Sequence, residues 1–277
     1  MSFTQLTLTT RRPLDLGASK SKPALRKFAN LLQGALSGSN AVDGWLLHNS
    51  GPDDNTASAS ARALAGFTFA TGTGTVGSII NGTSVTATWA TSDTATSAAL
   101  VTAINANTTV NPLVMASKYF GKVTLATCIA GDAINICGYT FTGVAGTANY
   151  QKGQFSIDTD DTAAALDLTK AIQSTHGLNQ KIAAVSAAGV VYLPLVENRA
   201  ARSDETISSS QSTFTIVAIT TGAAYFVVAR QPGLLGNACT ATATGTNLTA
   251  ISAVSGKLGG GRGGYLSTGQ YVSSDTR

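Results

Sequence analysis

Two histidines, three cysteines and one run of aspartates are the residues of this 277-residue chain whose chemistry reaches beyond scaffolding. His48 precedes a loop and His176 follows an apolar helical pattern. Neither has a carboxylate or thiol placed by sequence to complete a nucleophile–base–acid relay, and His176 reads as a solvated or capping residue. Asp158, Asp160 and Asp161 form the one acidic cluster. Hard cations take oxygen ligands of this kind, but the spacing lacks the turn glycine of a calcium-binding helical loop. Carboxylates just ahead of a helix also suit the positive end of its dipole, and that is the role expected of them. Cys128, Cys137 and Cys239 show no metal-ligand spacing and leave an odd thiol if two pair. Reduced thiols and assembly in a cytoplasm follow. Gly256-Lys257-Leu258 lacks the Ser or Thr that a phosphate-binding loop needs after its lysine. The glycines at 259–264 open no predicted helix. The expectation is a chain with no catalytic residue, no metal and no cofactor, hence not an enzyme.

The composition sets what must hold such residues in place. The chain is 43% hydrophobic but only 12% charged, against about 25% charged in an ordinary globular domain. Thr, Ser, Ala and Gly fill the deficit, and they suit strands and turns more than long helices. Charge depletion also accompanies surfaces covered by partners, and a Thr/Ala-rich β protein shows it without any partner. The formal charge is +4. Residues 1–30 carry Arg11, Arg12, Lys20, Lys22, Arg26 and Lys27 against Asp15, so the excess is an N-terminal feature. A basic arm suits nucleic acid, but no aromatic interleaving or nucleic-acid fold signature accompanies this one. Docking on a protein surface is the reading it carries. The N-terminus has no apolar core of a secretory signal. No run of about 18 apolar residues exists to span a membrane.

Along the chain, residues 3–9 alternate apolar with polar, as a half-buried strand does. Pro23 opens a short helix with Leu25, Phe28, Leu32 and Leu36 on one stripe. Residues 45–47 predict a strand. Residues 57–65 read as a short helix or a linker. Phe67–Phe69 predicts a strand, and Asn81-Gly82 predicts a tight hairpin between 76–80 and 85–89. Asp93 or Thr94 caps a helix ending near Asn107. Hairpins are expected around Phe120-Gly121 and Thr221-Gly222, with a single strand over 134–141. Residues 155–157 predict a strand, and Asp160, Asp161 or Thr162 caps a second helix through Ile172. Strands pair around Ala188-Gly189, residues 197–212 form a polar inserted loop, and 239–244 is a further strand. Asp93-Thr94-Ala95 matches Asp161-Thr162-Ala163, and 123–134 resembles 226–239, as in a duplicated unit.

The phrase INGTSVTATWATSDTATSAALVTAINAN, then GKVTLATCIAGDAINI, resembles tailed-bacteriophage virion structural proteins. The segment ALRKFANLLQGALSG at 24–38 looks like the lead-in helix of capsid-associated virion proteins. The second copy carries the family's Gly-Asn form at Gly236-Asn237, where the first has Gly131-Asp132. The resemblance covers 23–146 well and 214–261 in part. It implies a virion component assembled in the host cytoplasm, and it brings no catalytic residues.

The expected fold is α+β and β-rich: two tandem modules of antiparallel strands, each with one packed helix, plus extended termini. The boundaries are 1–40 for the basic arm and short helix, 41–148 and 149–258 for the modules, and 259–277 for a Gly-rich tail. The expected role is a capsid decoration or cement protein that grips the head shell through its termini. The partner would be the major capsid protein or another virion protein, and the chain would be a homo-oligomer. The docking residues would be Arg11, Arg12, Lys20, Lys22, Arg26, Lys27 and Phe28, with Arg262 and Tyr265 in the tail. A ring-forming tail tube or neck component is the alternative, and a receptor- or glycan-binding module a third. The low aromatic content, 6%, disfavours that third reading.

Overall fold

A computed structural model describes residues 61–70, 74–157, 160–175, 177–244, 247–252 and 256–261. They lie in one compact unit, Asn55–Tyr265. The strands are β1 (Arg62–Phe69), β2 (Thr75–Ile80), β3 (Thr83–Thr88), β4 (Val114–Leu125), β5 (Ala133–Ile136), β6 (Tyr139–Val144), β7 (Gln154–Ser156), β8 (Val185–Ala187), β9 (Val190–Pro194), β10 (Ile207–Ser208), β11 (Phe214–Pro232), β12 (Ala241–Thr244) and β13 (Leu248–Ser252). The helices are α1 (Asp93–Ala106), α2 (Asp161–Ser174) and the single turn α3 (Leu178–Lys181). The fold is α+β and β-rich, as expected, and its sheets are antiparallel except where β7 joins β6.

The central sheet runs β13-β1-β11-β4-β9-β8. Its two end strands approach each other without forming a ladder. Val185 of β8 and Ile251 of β13 pack into the same apolar cluster. The sheet therefore curls into an incompletely closed barrel, and its interior is filled by side chains, as a small barrel requires. Leu64, Phe226 and Val228 form that filling with Phe120 and Tyr192. The ring centroids of Phe120 and Phe226 lie 5.2 Å apart, and those of Tyr192 and Phe226 5.9 Å.

Alternate residues of the same strands point outward and bury the helices. Ala63, Ala65 and Phe67 of β1, with Tyr225 and Val227 of β11, pack with Leu100, Val101 and Ile104 of α1. Val123 and Leu125 of β4, Val191 and Leu193 of β9, and Phe214 pack with Ala165, Leu168 and Ile172 of α2. Fully burying one such Leu, Ile or Phe contributes about 1.5–3 kcal/mol, so these two clusters are the main source of stability. A three-stranded sheet, β12-β2-β3, adjoins the first cluster, and a four-stranded one, β10-β5-β6-β7, adjoins the second.

Local signals explain much of this. Asn81 (φ 48°) and Gly82 (φ 79°) form the two-residue turn joining β2 to β3, the left-handed pair that such a hairpin needs. Ala188 (φ 48°) and Gly189 (φ 77°) do the same between β8 and β9. Asp160 caps α2, accepting from the Ala163 amide at 2.7 Å. The cap of α1 is Ser92, one residue ahead of Asp93, and its Oγ accepts from the Ala95 amide at 3.2 Å.

Four expectations are corrected. Residues 62–65 are strand rather than helix or linker. Ala63, Leu64 and Ala65 are buried on both faces of a strand flanked by β11 and β13, and such a run shows no alternation to read. No hairpin forms at Phe120-Gly121, because β4 runs straight through. Gly121 serves close approach instead of a turn: a Cβ there would lie 2.3 Å from Ile207 Cδ1 and 3.0 Å from Ile219 Cγ1. The expected hairpin at Thr221-Gly222 is likewise one 19-residue strand, β11. Its register against β4 shifts between Val217 and Thr220 and again between Thr221 and Phe226. Gly222 leaves room for the Phe120 ring, which a Cβ would meet at 2.9 Å. Residues 134–141 are not one strand but the hairpin β5–β6, turning at Cys137 (φ 52°) and Gly138 (φ 87°).

The boundary expected between 148 and 149 separates no two bodies. β11, from the second half, lies between β1 and β4, both from the first, while β4 also pairs with β9. Each half has its own helix, but the apolar cluster around each helix draws side chains from both halves, and the central strands are shared.

Candidate docking surface and polar clusters

The residues expected to dock a partner are Arg11, Arg12, Lys20, Lys22, Arg26, Lys27, Phe28, Arg262 and Tyr265. All lie outside the described residues, as do the strands read at 3–9 and 45–47, the helix at 24–36, His48, Asp158 and His176. What the structure does place is the polar chemistry of the body.

Three aspartates anchor backbone amides and neighbouring hydroxyls. Asp161 opens α2 and accepts from the Thr127 amide at 3.0 Å, tying the end of β4 to the helix. Asp132, nearly buried, accepts from the Ile129 amide at 3.0 Å and the Thr213 hydroxyl at 2.8 Å. Asp167 takes the Tyr150 hydroxyl at 2.5 Å and the Ser156 amide at 2.6 Å, fixing β7 against α2. Among the described residues, no group of three or more His, Cys, Asp or Glu is placed to hold a metal ion.

The strongest electrostatic feature lies in the segment read as a polar inserted loop. The guanidinium of Arg199 grips Glu205 with two hydrogen bonds, Nη1 to Oε2 at 2.6 Å and Nη2 to Oε1 at 2.5 Å. Its Nε donates to Glu197 at 2.7 Å, and the Arg202 amide donates to Glu205 at 2.8 Å. The Glu205 side chain is 1% exposed and that of Arg199 26%. The paired guanidinium holds the Glu205 carboxyl below its ordinary range despite burial, and Glu205 in turn raises Arg199. The signal in the sequence was an E-N-R-A-A-R-S-D-E run of both signs, which reads as a solvated loop because nothing in spacing reveals burial.

Arg62 and Arg230 form a pair of neighbouring cations. Arg62 donates to the carbonyls of Ala229, at 3.1 Å, and Arg230. Arg230 donates to the carbonyl and side chain of Asn111. Burial and the neighbouring Arg230 lower the pKa of Arg62. Both guanidinia thus clamp strand ends through backbone oxygens.

The thiols are free. Burial pushes Cys128 and Cys137 up to about 11 from an ordinary 9.0, with Asp161 and Glu205, respectively, as the next causes. Two results are expected. Neither thiol is alkylated by iodoacetamide at pH 7.5 in the folded protein, since the thiolate is the nucleophile. Stability is also lost with alkali: a raised folded pKa gives a contribution that is full below pH 9 and disappears as pH climbs to about 11. Urea midpoints at pH 8, 9.5 and 10.5 check this, and a flat profile refutes it. The Tyr225 hydroxyl, buried and 2.5 Å from Ser78 Oγ, is raised in the same direction.

Compared with family models and with curated proteins, the sequence matches none. Among the described residues, no helix is long and apolar enough to cross a membrane.

Proposed function

We propose that this chain is a non-enzymatic bacteriophage virion structural protein, acting as a capsid decoration or cement protein. One observation carries the reading beyond the sequence resemblance. The acidic residues and arginines detailed above are consumed in capping, clamping and backbone anchoring. Thr, Ser and Ala dominate the rest of the body. The working parts are then assigned to residues outside the described body, the basic arm at 1–40 and the Gly-rich stretch at 262–277, since Gly259 pairs with Leu64 and Gly261 bonds to Asn237 within the body. A segment that binds in extended form does so by adding backbone pairs to a partner's sheet. Repetition over a symmetric shell converts weak single contacts into avidity.

The test uses purified protein and heads that lack it. Bound copies should raise the temperature at which heads lose their contents. A chain lacking residues 1–23 should keep its melting temperature yet fail to coat the heads. Full occupancy by the truncated chain would sink the arm hypothesis. Failure of the intact protein to bind any head, with assembly into rings on its own, would transfer the proposal to a tail component.

A further inference from the structure

We infer that the free edge of β3 is a homotypic interface, at which two copies pair antiparallel across a two-fold axis centred on Thr86. This rests on the reading of the chain as an assembling structural protein and adds where one self-contact lies.

Sheet edges are templates for pairing, and proteins blunt them with short strands, charges, prolines, bulges or covering segments. The other edges described here are blunted. β7, β8 and β10 have three, three and two residues. β13 curls toward β8. β12 is covered by 256–257, with a bridge from Thr240 to Lys257 and a bond from the Ala241 amide to the Gly256 carbonyl. Among the described residues β3 shows none of these devices. It is six residues long, reads TSVTAT, and pairs in unbroken register with β2 alone among the described residues.

The geometry fixes which groups are offered. Ile80 and Thr83 flank a two-residue turn, so they exchange both hydrogen bonds, and bonded pairs then recur at every second residue. Thr83, Val85 and Ala87 therefore turn their amides to β2. Ser84, Thr86 and Thr88 turn theirs outward.

The occupant argued here is a second copy, because an isologous contact sets each residue against its own kind. A charged edge would repel itself, whereas this one carries no charge. Pairing centred on Thr86 sets Ser84 against Thr88 and Val85 against Ala87. The hydroxyl ladder then lies on the exposed face, and Val85 and Ala87 lie on the side that packs on the first apolar cluster. Thr–Thr and Thr–Ser cross-strand pairs are favourable. The product is a continuous sheet, β12-β2-β3 followed by its symmetry mate.

The test is sedimentation equilibrium of the full chain without heads, on wild type, Thr86→Pro and Thr86→Lys. Proline removes one outward amide and leaves the pairing with β2 intact, as an edge allows. Lysine places a charge against its own copy while keeping the amide. The contact is small, so wild-type dimerisation should be weak, and both variants should weaken it about tenfold or more, that is, by about 1.4 kcal/mol. Melting temperatures should be unchanged. Wild type that stays monomeric to the solubility limit overturns the inference, and so does association undiminished in the lysine variant. Head binding is measured separately: a Thr86→Lys chain that coats heads but no longer self-associates separates this contact from the docking reading. If no variant binds heads but wild type still dimerises, the functional reading fails and this one stands.

Discussion

Arg199→Ala is expected to cost about 3 kcal/mol of folding stability, the low end of the range for breaking a buried ion pair. The loss is not the worth of the salt bridge. Glu205 stays buried at 1% exposure, and truncating its partner leaves an ionised carboxylate with only the Arg202 amide as donor. The low end applies because Arg199 is about one-quarter exposed, so water can enter the vacated space. The double variant Arg199→Met with Glu205→Leu should recover most of the loss, since it leaves no charge to desolvate. Chemical denaturation at pH 7 of wild type, Arg199→Ala and the double variant checks this. Equal destabilisation of Arg199→Ala and the double variant would show that packing, not charge, is what the pair supplies.

The same pair sets the acid limb. Glu205 has a lowered folded pKa, first because Arg199 donates to it. A depressed carboxylate contributes stability that is full above its unfolded value, here 4.5, and that is lost as pH falls through the folded value. Wild type should therefore lose stability below about pH 4.5 more steeply than the double variant, which has no such group to protonate.

What the sequence revealed divides along physical lines. Signals that act within a few residues were legible. Asn81-Gly82 gave the hairpin because few other pairs tolerate two left-handed residues. The Asp-Thr-Ala phrases marked the first turn of both helices, although the capping side chain is the residue just before each phrase, Ser92 rather than Asp93 or Thr94 for α1 and Asp160 for α2. The long strands were misread because glycine has two uses. At 121 and 222 it makes room for Ile207 and Phe120, residues distant in the chain, and local reading takes such a glycine for a turn. The converse happened at Cys137, where a non-glycine residue adopts the turn conformation. The Arg199–Glu205 clamp was invisible for the same reason: burial of a loop is decided by what packs over it. The β3 edge lay inside a segment read correctly, but its openness is a property of the sheet order and not of its residues.

The sheet order yields the largest expected effect. A chain of residues 61–148, which spans the described part of the first expected module (41–148), should not fold. It would hold β1 and β4 but not β11, and in the sheet these two do not pair: β11 stands between them and pairs with both. Without it, α1 loses Tyr225 and Val227 from its cluster, two fully buried side chains. What remains is the β2–β3 hairpin, the β5–β6 hairpin and a helix of 14 residues, and each of these is marginal alone in water. Residues 149–261 should fail likewise, because β9 and the first part of β11 would lack β4. Mixed together, the two fragments should recover helix and sheet signal in circular dichroism, because every ladder of the central sheet is then available again. Independent folding of the first fragment, seen as a cooperative melt and a dispersed amide spectrum, would mean that β1 and β4 find a partner other than β11. In that case the halves would be separable domains, and the shared sheet would be a later docking step.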